Sequence, residues 1–400
     1  MQEQNFIVRQ PLLNSQERVL GYELCWQSNG AKLSEAQARA LTGFIAAQMT
    51  GTETGISLGD HLLFLPATPG MFAAEAFAGL PKKRTVMAVD AGDLTDVDKI
   101  TSLRMLGAQG YSISLRGASP ASEKGLLAAA SHIEISCAAP DFAEQVRQFR
   151  ALDLQIAHLI GRDITDWQQY DLCASMGMHA FAGNLHLTPR LQEQPRELNP
   201  AQTMILELME MVKNGDDVRQ LESVLKRDAA LSYRLLRYIN SAGFGLGCEI
   251  QSLRHAVTLL GYSPLYRWLG LLMATSTTTG YSPVLMQTAV IRGRFAELLC
   301  AGFLPKSEAE NMFVAGMFSL LDRLLGIPME EVLEKIQLSD SVSEALLSRE
   351  GIYGPFIALA EACESNAGDV ASMAGNLFVS AEHVNQAHLA AIAWAQSLHL

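Results

Sequence analysis

The residues able to do chemistry are dispersed along this chain instead of gathered into a known spacing. Six cysteines (Cys25, Cys137, Cys173, Cys248, Cys300 and Cys363) lie at least 36 positions apart. That excludes the CxxC and CxxxH pairings of zinc sites and reads as reduced, mostly buried thiols. No P-loop, GxGxxG with a following acidic residue, GxSxG or HExxH occurs, and no His-Asp dipeptide either. The common nucleotide, hydrolase and zinc-protease signatures are therefore missing. Arg9, Arg104, Arg116 and Arg162 are candidate phosphate contacts, although scattered arginines more often serve as solvated surface or helix partners. His255 beside Arg254 reads as a packed or capping residue rather than a ligand. Asp322 interrupts an apolar run, and a carboxylate there needs a partner, for which Arg323 or another arginine is expected. Arg234, Arg237, Tyr238 and Asn240 fall on or near the polar side of one helix, with Arg234 and Tyr238 one turn apart. They form a candidate partner face, because Arg and Tyr are favoured interface residues.

The elements that must position these residues change character halfway. Up to about residue 188, short apolar runs alternate with helix-like segments, the pattern of a parallel α/β fold. Strands are expected at 6–13, 19–26, 55–58, 86–90, 111–115, 133–136, 154–159 and 179–181. Helices are expected at 34–49, 96–108, 139–152 and 165–176. Eight strands suggest a TIM-like α/β barrel, lean in length, so some helices should be short or missing. Pro189, Pro195 and Pro200 then mark a linker over 189–200, with Asn199 as a cap before Pro200 at the first helical position. The remainder, 201–400, reads as all-α. Asp228 and Ser252 cap helices there, Gly243 and Gly245 stop one, Ser263-Pro264 starts another, and 312–325 is an apolar helix ending at Gly326 before a helix over 329–336.

With 400 residues, 49% hydrophobic and 18% charged, the chain is long enough for two packed domains. A net charge of −12 argues against a dedicated nucleic-acid binder and for protein partners. The N-terminus has no signal-peptide pattern, and the apolar stretches are too short to span a bilayer, so a cytoplasmic location is expected. Oligomeric state is open, with a homodimer one reading of the mean hydropathy of +0.13 and the Met-rich helices.

The segment FIVRQPLLNSQERVLGYELCWQ (6–27) resembles the opening of EAL-family proteins, with the signature as Glu23-Leu24-Cys25. Phe181-Ala182-Gly183-Asn184 stands where that family has an FQGY-like segment. In the second half, LESVLKRDAALSYRLLRYINSAGFG (221–245) and QSLRHAVTLLGYSPLYRW (251–268) resemble the HDOD family, extended by 313–336 and 344–364. The resemblance implies a degenerate EAL barrel followed by an all-α HDOD domain.

Active EAL enzymes hydrolyse cyclic di-GMP with divalent metal held by carboxylates and an Asn. Here the resemblance retains the metal-binding Glu as Glu23, a vestigial EAL position. In place of the second-strand Asn stand Ser57 or Leu58. Asp90 or Asp93 fits the third-strand Glu only with a register shift, and the double-Asp segment reads SISLRGAS (112–119), without a carboxylate. Glu134 falls where the water-orienting Lys is expected, and His158 near an expected Glu. One carboxylate cannot hold a cation that wants about six oxygens. The bland role for Glu23, a barrel-mouth carboxylate in a hydrogen-bond network, is the expected one. In the second half, Ser319 and Leu320 fall at the His-Asp positions of HD phosphohydrolases, and leucine cannot coordinate metal. The expectation is a non-catalytic bacterial signalling adaptor without metal or cofactor, an inactive homologue of both enzyme classes. The resemblance links it to two-component, motility, pilus or biofilm regulators. The alternative is a cyclic di-GMP sensor or residual phosphodiesterase using Glu23 with Asp60, Asp90 or Asp93. A third is purine or guanine nucleotide binding at the vestigial HD pocket.

Overall fold

The computed structural model describes residues 5–28, 31–51, 56–152, 158–188, 200–240, 250, 252–275, 283–335, 338–365 and 368–398. The chain divides into two compact units, Met1–Thr188 with Cys363–Gly368, and Pro189–Ala362 with Asp369–Leu400. The linker, apart from Pro200, lies outside the described residues, as do Gly243 and Gly245.

The first unit is a closed eight-stranded barrel: β1 (Ile7–Leu13), β2 (Val19–Trp26), β3 (Leu62–Pro66), β4 (Thr85–Asp90), β5 (Ser112–Arg116), β6 (His132–Ser136), β7 (His158–Ile164) and β8 (Ala180–Gly183). β1 runs antiparallel to both β2 and β8, while the remaining neighbours are parallel. The strands read as short apolar runs because both faces are covered, side chains on one and helices on the other. The helix Glu35–Thr50 bridges β2 and β3, starting from a Ser34–Gln37 capping box. Asp96 caps Val97–Ala108 and Asp166 caps Trp167–Ser175. Between β3 and β4 there are only 3₁₀ turns, and between β5 and β6 a four-residue helix, Lys124–Leu127. The barrel is lean because these crossovers are abbreviated.

Two strand assignments are corrected. The third strand is Leu62–Pro66 rather than 55–58, where residues 56–58 carry no strand pairing. Leu62-Leu63-Phe64-Leu65-Pro66 is the longer apolar run, and it alone reaches the ladder beside Gly21–Glu23. The seventh strand is His158–Ile164, displaced from 154–159, whose first four residues lie outside the described ones.

Side chains two apart on a strand share a face, and this stacks the barrel interior in layers. Leu12, Phe64, Val86, Ile160, Ala180 and Ala182 form an apolar core cluster. One pleat further toward the strand ends, Glu134 follows His132, Arg116 follows Ser114, and Arg162 follows Ile160. The apolar core thus carries a polar layer at its mouth.

The second unit is helical. Asp228 caps Ala229–Ile239 by accepting from the Leu231 N–H at 2.9 Å, and Ser252 caps Leu253–Leu260. The helices Pro283–Leu299 and Lys306–Phe318 cross at two glycines: a Cβ on Gly293 would stand 2.7 Å from the Phe313 carbonyl, and one on Gly316 would stand 3.0 Å from Gly293 Cα. The single helix expected over 312–325 is two, Lys306–Phe318 and Leu321–Leu325. The break falls at Ser319 and Leu320, where the buried Ser319 hydroxyl donates back to the Gly316 carbonyl at 2.6 Å.

Candidate functional site

Glu23, on β2, sits at the barrel mouth with its side chain 9% exposed. A carboxylate so placed must be neutralised or heavily hydrogen-bonded. The neutralising groups come from the opposite wall. Arg116 at the end of β5 donates from Nη2 to Glu23 Oε1 at 2.6 Å and from Nε to Glu134 Oε2 at 2.9 Å. Arg162 on β7 donates to Glu23 Oε2, approaches Glu134 Oε2 at 3.2 Å, and reaches Gln10 Oε1 on β1 at 3.2 Å. Ser114 donates to the other oxygen of Glu134 at 2.6 Å. Two carboxylates and two guanidiniums close a ring with no net charge.

The electrostatics follow from this pairing. Burial raises the Glu23 carboxyl, but the charges and hydrogen bonds of Arg116 and Arg162 outweigh it and hold the group at about 2, against an ordinary 4.5. Burial alone would lower Arg116, and Glu23 and Glu134 push it up instead. Arg162 is raised for the same reason. Glu23, Arg116 and Arg162 are thus each held in their charged forms.

A divalent metal does not fit this arrangement. Both oxygens of Glu23 and both of Glu134 already accept hydrogen bonds, all but the Ser114 bond coming from cations. A cation in their midst would stand against two guanidiniums. Asp90 and Asp93, the substitutes considered from sequence, both bind Lys32 Nζ, at 3.1 and 2.6 Å, and Asp60 is paired with Arg84. With β3 relocated, the strand beside Glu23 reads Leu-Leu-Phe-Leu-Pro, so neither Ser57 nor Leu58 is the neighbour at that position, and no Asn stands there. Among the described residues, no group of three or more His, Cys, Asp or Glu is placed to hold a metal ion.

The candidate phosphate contacts are otherwise engaged. Arg104 donates to the Gly125 carbonyl at 2.9 Å. Arg9 is buried and meets Glu364 at 3.3 Å within the same compact unit. Sequence reasoning named Arg116, Glu134 and Arg162 one by one and missed their junction with Glu23. The available signal was the strand period, which puts all of them on inward positions near strand ends.

In the helical unit, Ser319 is buried and accepts from Arg292 Nη1 at 2.8 Å. The same nitrogen reaches Glu361 Oε1 at 2.7 Å, and Arg349 grips Glu361 with Nε and Nη2 at 3.1 and 2.9 Å. Here too an arginine occupies the polar interior. Asp322 makes no ion pair among the described residues, and its Oδ1 is buried without a hydrogen-bond partner, so the expected arginine is absent. His255 donates its backbone N–H to the capping Ser252 hydroxyl.

The candidate partner face is only partly visible. The side chains of Arg237 and Tyr238 lie outside the described residues. Arg234 is half-buried. Asn240 is committed to its own chain, donating to the Ile250 carbonyl and accepting from the Ile250 N–H, both at 2.7 Å. Tyr233 on the same helix, overlooked in the sequence, is 67% exposed.

Residues 198–341 match the HDOD domain family. The chain is 26% identical to the uncharacterized protein YuxH of Bacillus subtilis, over 98% of both chains. It is 25% identical to the cyclic di-GMP phosphodiesterase CdgJ of Vibrio cholerae, over 98% of this chain and 93% of that one. Among solved structures, the barrel resembles the EAL domain of Mycobacterium smegmatis DcpA, 15% identical with a TM-score of 0.36, covering 45% of this chain and 91% of that one.

Proposed function

We propose that this two-unit protein, an EAL-like barrel followed by an HDOD domain, is a non-catalytic signalling adaptor that works through protein partners. The observation that carries the reading is the closed Glu23–Arg116–Glu134–Arg162 ring. It uses the carboxylates a metal would need and removes the site's net charge. The acidic surface balance, −12 overall, favours protein partners over nucleic acid. We place the chain in the cytoplasm, among regulators of the two-component, motility or biofilm kind, and assign it no cofactor. No helix among the described residues is long and apolar enough to cross a membrane.

A second reading has one observation in its favour: CdgJ, a relative over nearly the full length, is by name a cyclic di-GMP phosphodiesterase. On that reading the barrel binds or hydrolyses cyclic di-GMP. Isothermal titration of the purified chain with cyclic di-GMP, in the presence of Mg²⁺ or Ca²⁺ and followed by chromatography of the nucleotide, separates the two. The adaptor reading expects neither heat of binding nor product. Tight binding or metal-dependent turnover refutes it.

A further inference from the structure

Two cysteines far apart in sequence meet in the barrel unit. Cys137 directly follows β6, and its backbone N–H donates to the Arg162 carbonyl at 2.9 Å. Cys173 lies on the helix Trp167–Ser175, on the face turned to the barrel, and is 1% exposed. Their Sγ atoms stand 3.3 Å apart, about 1.3 Å beyond a disulfide bond of ~2.05 Å. Gly161 lies opposite, where a Cβ would stand at an ordinary contact distance of 3.4 Å from Cys137 Sγ. Cys137 is half-buried, so a small oxidant reaches the pair from its side.

We infer that Cys137 and Cys173 form a redox modification site, closed to an intramolecular disulfide by a peroxide-class oxidant. One sulfur attacks a peroxide oxygen; the O–O bond breaks, water leaves and a sulfenic acid forms. The second sulfur then displaces hydroxide from that sulfenic sulfur, and the hydroxide departs as water with the second thiol's proton. In sum, two thiols and one H₂O₂ give one disulfide and two waters, with both sulfurs oxidised by one electron each and the peroxide reduced by two. The hydrogen bond between the two sulfurs lowers the Cys173 thiol and raises that of Cys137, so the two titrate as a pair and not independently. The cross-link ties the end of β6 to the helix after β7 and closes a loop of about 36 residues, a length at which cross-linking restricts the unfolded chain appreciably. Because Cys137 is also bonded to the Arg162 backbone, the staple fixes the strand end that presents Arg162 to the mouth.

The experiment treats the full chain with stoichiometric H₂O₂, then quenches, alkylates under denaturing conditions and maps disulfides by mass spectrometry, with calorimetry of the same samples. The expected result is a loss of two titratable thiols of the six, a 137–173 cross-linked peptide, and a barrel transition raised by roughly 5–10 °C that dithiothreitol reverses. Cys137→Ser and Cys173→Ser should each abolish the cross-link and the shift, and in Cys173→Ser a dimedone adduct at Cys137 should appear instead. Should oxidation join other cysteines, or stop at sulfinic acid on Cys137 in the unaltered chain while Cys173 stays a free thiol, the site is refuted.

Discussion

Substituting Glu23 by glutamine keeps the shape of the side chain and its ability to accept a hydrogen bond, but leaves Arg116 and Arg162 facing the single charge of Glu134. The magnitude follows from proton linkage. The Glu23 carboxyl is held at about 2 in the folded chain against about 4.5 ordinarily. Each unit is worth about 1.4 kcal/mol, so the ionised form contributes about 3 kcal/mol. The sign is that of a depressed carboxylate: the contribution is fully present above pH 4.5 and is lost as the pH falls toward 2. Glu23→Gln should therefore lose about 3 kcal/mol at pH 7, lowering the barrel transition by roughly 6–12 °C for a unit of this size. The two proteins should converge in stability as the pH approaches 2. Differential scanning calorimetry across pH 2–7 reads both quantities. A glutamine variant as stable as the parent at pH 7, or more stable, would refute the structural role of Glu23. That is the outcome expected of a carboxylate kept for a metal and held against its own preference.

Two other positions report on the same fold. His132 is buried beside Phe64 and near His158 and His179; burial first, and then the two neighbouring histidines, lower its imidazole to about 4. Its neutral form is the stable one, so stability is present above pH 6.5 and falls as the pH drops from 6.5 to 4, by at most about 3 kcal/mol. His132→Gln should flatten that part of the unfolding free energy profile measured in urea. In the helical unit, Gly293→Ala forces a methyl group to within 2.7 Å of the Phe313 carbonyl and 3.0 Å of Met317 Cβ. The helices must separate at a cost of about 1–3 kcal/mol, visible in calorimetry as a lowered transition of that unit with the barrel transition unmoved.

Much of the fold was legible because each element carries its own punctuation. Asp228 and Ser252, read as caps, start their helices as expected, and the helices expected over 34–49, 96–108 and 165–176 are found behind the caps Ser34, Asp96 and Asp166. The third strand was misplaced because Ile56-Ser57-Leu58 and Leu62–Pro66 are both short apolar runs, and only pairing with β2 on one side and β4 on the other selects the second. The break at Ser319 was hidden for a related reason. Hydrophobicity runs unbroken through it, whereas the interruption serves a buried arginine contributed by another helix. At the mouth, residue types were readable but their partners were not. Glu23 lies 93 residues from Arg116 and 139 from Arg162, and only closure of the barrel sets β2 opposite β5 and β7.

On the adaptor reading proposed above, the charge balance at the mouth also limits what the barrel would bind. A cyclic dinucleotide brings two phosphates, and the groups fit to receive them are the guanidiniums of Arg116 and Arg162. Both are already spent on Glu23 and Glu134, in bonds partly shielded from water. To engage a phosphate, either arginine must leave a carboxylate behind in a half-dry site, and that uncompensated charge costs more than an exposed ion pair would return. Loss of a metal from such a mouth would by itself leave the carboxylates repelling one another. In this barrel, arginines from β5 and β7 pair with both carboxylates and offset that repulsion. On the adaptor reading, a ring of that kind braces the barrel as a rigid body, a property that would serve a surface meeting other proteins better than a centre that must bind, release and reset.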